Sequence, residues 1–218
     1  MNKSKLDQFV LDIEFLLISV VQGVALAALA SSAISPVANL QFEYLPYIFS
    51  AFLFILLFWS GAIIHSLSFI DWPLDLPHNF LYFLASFVEV ITFSQITNPL
   101  NWFAFVLIFF SVAAILYIVD LNLISKHKTA FDDTEAKRNL YHHIKSEQLY
   151  ELKILLPVGL LFNLVAFILI YNNPELFLNQ KKHLFLGIFQ AIFTLGFLIS
   201  SIINFQKRAK LISNVIKD

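Results

Sequence analysis

Residues 102–124 read WFAFVLIFFSVAAILYIVDLNLI, a run in which no charge occurs before Asp120. A helix needs roughly 20 predominantly apolar residues to cross a hydrocarbon layer about 30 Å thick. This stretch meets that length, and water cannot be its solvent. Working outward, polar, proline and asparagine breaks such as Asp71-Trp72-Pro73, Asn98-Pro99 and Asn172-Asn173-Pro174 delimit five more runs of the same kind. Turn formers of this type place the chain reversals where backbone can meet water. The sequence therefore predicts an all-α integral membrane protein, a single bundle of six transmembrane helices over 15–38, 47–69, 76–95, 102–124, 152–171 and 184–205.

Composition agrees with this reading. The 218 residues are 59% hydrophobic and 13% charged, with 25 phenylalanines, whereas a soluble domain is roughly 45–50% apolar and about 25% charged. A net charge of -1 offers no basic face for nucleic acid. The absence of cysteine excludes disulfides, thiolate metal sites and thiol nucleophiles. Near the start of the chain, Lys3 and Lys5 precede an apolar stretch, but Asp7, Asp12 and Glu14 interrupt the basic leader of a cleavable signal. The stretch is read as a span.

Lysine and arginine set the orientation, because loops on the cytoplasmic side retain them. Twelve fall on one side: Lys3 and Lys5; Lys126, Lys128, Lys137, Arg138, Lys145 and Lys153; Lys207, Arg208, Lys210 and Lys217. Lys181 and Lys182 fall on the other. Both termini are expected in the cytoplasm, in a multi-pass protein of the cell (inner) membrane. Tyr44, Tyr47, Trp102 and Tyr171 would form an outer aromatic belt, with Trp72 and Tyr150 at the inner interface. The soluble piece, 125–151, is a cytosolic loop with N-cap candidates Thr129, Asp132 and Asp133 ahead of a helix that runs towards span five. His127, His142 and His143 do not make a complete metal-ligand set, since adjacent helical residues point about 100° apart. No metal and no cofactor is expected.

Polar residues within the spans are the functional candidates, because an ionisable group in lipid costs several kcal/mol unless paired or hydrated. Glu89 lies six residues from the outer end of its span, Gln190 six and Asn163 eight. Together with Ser31 they predict a polar layer in the outer half, and Glu89 shares a helical face with Tyr82, Ser86 and Thr92. Gln22 and the serines of span one would line a conduit. Ser19, Gly23, Ala27, Ser31 and Ser35 recur every fourth residue, a track that lets another helix approach closely. Near the inner end, His65 and Asp120 are expected to pair, while Asp71 and His78 read as loop residues.

Several local features resemble the bacterial relatives of the lysosomal potassium channel called transmembrane protein 175. They are Gln22-Gly23-Val24 in span one, Ser50 and Trp59 followed by His65 in span two, and Leu155-Leu156-Pro157 opening span five. The resemblance implies six spans with both ends inside and a cation pore. The family's first helix carries an Arg followed by Phe-Ser-Asp; Leu16 and Val20-Val21-Gln22 stand there, and Ala27 and Leu29 replace its constricting isoleucines.

These residues lead to an expected ion channel or small-solute permeation protein, cation-conducting and homo-oligomeric. Its partners would be the lipid bilayer and an inorganic ion or small solute. Two alternatives stand beside it: an intramembrane enzyme acting on lipid through His65 and Asp120, and a non-conducting signalling or assembly subunit.

Overall fold

A computed structural model describes residues 3–68, 76–126 and 128–217. Seven α-helices follow in order: α1 Lys3–Ala38, α2 Leu45–Ser68, α3 Leu76–Phe93, α4 Pro99–Lys126, α5 Glu135–Tyr150, α6 Leu156–Asn172 and α7 His183–Lys217. No strand occurs among the described residues. Among the described residues five helical runs are long and apolar enough to cross a membrane: Phe15–Ala38, Phe42–Ile63, Pro99–Lys126, Glu135–Asn172 and His183–Val215. The third expected span corresponds to α3, at 18 residues a shorter helix whose first turns hold His78 and Asn79.

The helix ends follow from local chemistry. Asn98 caps α4, its side-chain oxygen accepting from the backbone N–H of Asn101 at 3.2 Å, and Pro99 occupies the first position, where no donor is needed. Thr134 caps α5 by accepting from Lys137 N–H. It lies just beyond the Thr129, Asp132 and Asp133 expected for that role. From α5 the chain continues into α6 through a widened π-turn, Glu151–Leu155, where the N–H of Leu156 reaches the carbonyl of Glu151. Pro157 supplies the reason: it has no N–H for the regular four-residue bond, and the wider turn absorbs the mismatch. A second π-turn, Glu175–Asn179, follows Pro174.

The helices close into a ring in which α1 packs on α2, α2 on α7, α4 on α6, α3 on α4 and α1 on α3. Phe162 and Phe189, with centroids 5.0 Å apart, join α6 to α7. The core is aromatic: Phe54 of α2 packs on Trp102, Phe109 and Phe110 of α4. Outward faces carry large apolar side chains such as Leu161, Phe185 and Ile192. Apolar surface of that extent suits lipid. At one end, α5 and the last turns of α7 build a smaller core from Ile124, Leu140, Tyr141 and Ile144 against Leu211, Ile212 and Val215. The α7 helix runs to Lys217, well past the expected end of the sixth span at 205. At the far end, Lys181 pairs with Glu43 at 2.8 Å, a hydrogen bond that holds the lysine above its usual pKa range.

Within the single chain two expected features lie differently. The small-residue track of α1 does not pack against another helix of the chain: Ser19, Gly23, Ala27, Ser31 and Ser35 are all exposed. The buried face is Ile18, Gln22, Ala25 and Leu29, and larger side chains on that face make the contacts. The aromatic belt also changes, because Tyr47 and Trp102 are fully buried. Each has found a partner for its polar atom inside the bundle, which removes the need for an interface position. Tyr171 and Tyr150 remain exposed, and Trp72 lies outside the described residues.

Candidate functional site

Tyr47, Trp102, Gln190 and Asn163 meet at the far end of the bundle. The indole N–H of Trp102 can only donate, and it donates to Gln190 Oε1 at 2.6 Å. That contact orients the Gln190 amide, whose NH₂ then donates to Asn163 Oδ1 at 2.9 Å. Asn163 Nδ2 in turn donates to the Gly159 carbonyl at 2.7 Å. Nearby, the Tyr47 hydroxyl donates to the His183 carbonyl and accepts from its ring Nδ1–H, both at 3.0 Å. Gln190 and Asn163, both read as members of an outer polar layer centred on Glu89, bond to each other and not to Glu89. Their network is satisfied throughout, and it ties α4, α6 and α7 together.

Glu89 stands apart from that network. It is 1% exposed, and neither carboxylate oxygen has a hydrogen-bond partner. Its neighbour is Gln22 of α1, which also faces the Tyr82 hydroxyl; no bond of ordinary geometry joins the three, and both amide atoms of Gln22 are unpartnered. Helical spacing places Tyr82, Ser86, Glu89 and Thr92 on one face of α3, all buried. Ser86 and Thr92 direct their hydroxyls to backbone carbonyls one turn earlier, at 2.9 and 2.8 Å. Glu89 is thus the acidic group of a continuous polar face that lies against α1 and α4. Ser31, expected in the same layer, is exposed, because α1 turns its other side inward.

His78 opens the same face one turn before Tyr82. Its Nδ1 lies 2.7 Å from Asp120 Oδ1, so Asp120 has a histidine partner in the first turns of α3. The expected partner, His65, belongs to α2, but its side chain lies outside the described residues. His78 read as a loop residue, but it lies in the first turn of α3, where Pro77 suits a helix start.

Between α1, α2, α3, α4 and α7, towards α5, the ring encloses a cavity of about 180 Å³. Phe54, Phe58, Phe109, Phe110, Phe193 and Phe197 wall it. Its other end is charged, holding His78, Asp120, Glu147, Glu151 and Arg208. Arg208 of α7 pairs with Glu147 of α5. The Tyr117 phenol lies against the Glu151 carboxyl.

Comparison of the chain with protein families, curated proteins and solved structures found no match. The site is therefore read from its own chemistry. Gln22 is the one sequence-derived candidate that joins Glu89, whereas Tyr117, Glu147, Glu151 and Arg208 were not singled out. Glu147 and Glu151 lie in the soluble stretch 125–151 and Arg208 in the basic C-terminal tail, where charges read as solvated, and the docking of α5 on α7 brings Arg208 onto Glu147.

Proposed function

We propose that this protein is a six-span, multi-pass protein of the cell membrane that conducts a cation or small cationic solute along the polar face of α3. One observation carries the reading: Glu89 is buried in the bundle with only the Gln22 amide beside it and no hydrogen bond of ordinary geometry. A charged carboxyl at the centre of a spanning helix costs about 2.5–3.5 kcal/mol on insertion scales. A carboxyl there avoids that cost by taking up a proton or holding a cation, and either suits a group on a route for protons or cations. Tyr82, Gln22 and Ser86 sit beside it as polar relays between the α5-end cavity and the outer half.

Six spans follow if α3, about 27 Å long at 1.5 Å per residue, crosses as well. The division of lysines and arginines then keeps both termini in the cytoplasm. The exposed small-residue track of α1 suits a contact between copies in a homo-oligomer. Liposomes containing purified protein are expected to release a cation gradient faster than protein-free liposomes. Equal rates for potassium, sodium and protons alike would refute conduction.

The pairing of His78 with Asp120 at the cavity supports a second reading, an intramembrane acid–base enzyme acting on lipid. That reading expects altered lipid products from the same liposomes, and no flux.

A further inference from the structure

A metal ion and a proton make different demands on the polar face of α3. The cavity reaches that face from the α5 end and stops short of its acid: Tyr82 lines it, whereas Gln22, Ser86 and Glu89 do not. Between Tyr82 and Glu89 the helix rises about 10 Å. The side chains over that interval, Tyr82, Gln22, Ser86 and Glu89, are all buried. A metal ion crossing it needs oxygens to replace its hydration shell, and four are without a partner there: two of Glu89, one of Gln22 and one of Tyr82. Hard cations take about six or more oxygens.

A proton needs no such shell. It needs groups that give and accept hydrogen bonds in sequence, and these side chains have that capacity: a hydroxyl does both, an amide has an acceptor and a donor, and a carboxyl accepts or donates with its state. The Tyr82 hydroxyl faces Gln22 and not the cavity, Gln22 faces Glu89 as well, and none of these polar atoms has another hydrogen-bond partner. No fixed charge stabilises the carboxylate. Among the described residues no lysine, arginine or histidine forms an ion pair with Glu89. The titratable group that faces it is Tyr82 of its own helix, α1 brings the Gln22 amide, and Tyr117 and Asp120 of α4 lie with His78 at the lining of the cavity.

We propose that the species carried along α3 is the proton, held in transit as the O–H of the Glu89 carboxyl. A proton from the cavity side crosses at Tyr82 and Gln22 and adds to a Glu89 oxygen, turning carboxylate into carboxylic acid. The same O–H bond breaks when the proton leaves towards the outer half. No other bond changes. Tyr82 and Gln22 are positioning residues, and the interval they occupy is where metal ions are refused. This inference rests on the conduction reading and narrows it to one ion.

Two measurements on purified full-length protein in liposomes test it. In the first, a potassium diffusion potential set with valinomycin drives proton uptake, read from a pH dye trapped inside; potassium and sodium release are read in separate liposomes with a protonophore to balance charge. Proton uptake is expected to exceed that of protein-free liposomes roughly tenfold or more, and to return to the protein-free level in Glu89→Gln. Potassium and sodium release should stay at the protein-free level. Release of either metal ion above that level overturns the proton assignment and leaves conduction standing, whereas no flux of any of the three overturns both. Proton uptake unchanged in Glu89→Gln also overturns the assignment.

The second measurement needs no variant. Dicyclohexylcarbodiimide reacts with a carboxylic acid in an apolar site: the acid proton moves to a carbodiimide nitrogen, the carboxyl oxygen bonds to the central carbon, and the acyl group then shifts to nitrogen as a stable N-acylurea. Peptide mass spectrometry is expected to find this adduct at Glu89, in smaller yield as pH rises, and at equal yield with and without sodium or potassium at fixed pH. No adduct at Glu89, or protection by either metal ion, overturns the proposal.

Discussion

At the scale of the residue, the buried polar groups divide into those that are satisfied and those that are not. Gln190 bridges Trp102 and Asn163, so Gln190→Leu strands a donor on one side and an acceptor on the other. The expected loss is about 1–3 kcal/mol for each group left unpaired, read as a lower thermal midpoint in detergent. Glu89 belongs to the unsatisfied set. With no native thiol in the chain, Glu89→Cys should react with small water-soluble thiol reagents in the folded protein, and complete protection would remove the aqueous path. The face shared by Tyr82, Ser86, Glu89 and Thr92 was legible in the sequence, because the 3.6-residue period fixes it. That Glu89 meets Gln22 and not Gln190 was not legible. Distance from a helix end gives depth along the axis and says nothing of the direction in which the side chain points. Trp102 and Tyr47 were misplaced for a related reason. An aromatic near a helix end has the same local pattern whether it faces headgroups or a buried hydrogen-bond partner.

At the scale of the element, two glycines make opposite claims. A Cβ on Gly159 of α6 would lie 2.8 Å from the Phe110 ring of α4, whereas one on Gly23 of α1 meets nothing within 4 Å. Gly159→Ala is expected to cost about 1–3 kcal/mol through overpacking, while Gly23→Ala should leave the thermal midpoint of the single chain unchanged. A reversed order would mean that the packing of α1 and α6 is misassigned. Between α5 and α7, Arg208→Ala leaves Glu147 buried with only His143, 3.9 Å away on its own helix, beside it, at a cost of up to about 3–5 kcal/mol. Its measure is faster proteolytic cleavage within α5 while the rest of the bundle stays resistant. Helix ends at Asn98-Pro99 and Asn172-Asn173-Pro174 were readable from capping and turn chemistry. The docking of α5 was not, because its apolar face is only Leu140, Tyr141 and Ile144, too few to distinguish from a solvated helix without seeing α7.

At the scale of the whole molecule, the all-helical class and the apolar runs follow directly from segment length and composition. The closed ring of helices does not, since which helices adjoin depends on side-chain contacts far apart in sequence. The proposed topology expects reporters after Asp218 and within 125–151 to read as cytoplasmic and one near Asn173 to read as external. An external reading for 125–151 would overturn the span assignment. The central claim, that Glu89 lies on a route for cations, is tested most directly by flux through liposomes containing Glu89→Gln beside the parent protein. The account expects flux to fall roughly tenfold or more, equivalent to at least about 1.4 kcal/mol of barrier, with expression and thermal midpoint unchanged. Flux equal to the parent's in Glu89→Gln, together with unfolding of Glu89→Leu, would contradict it and leave Glu89 as a structural group.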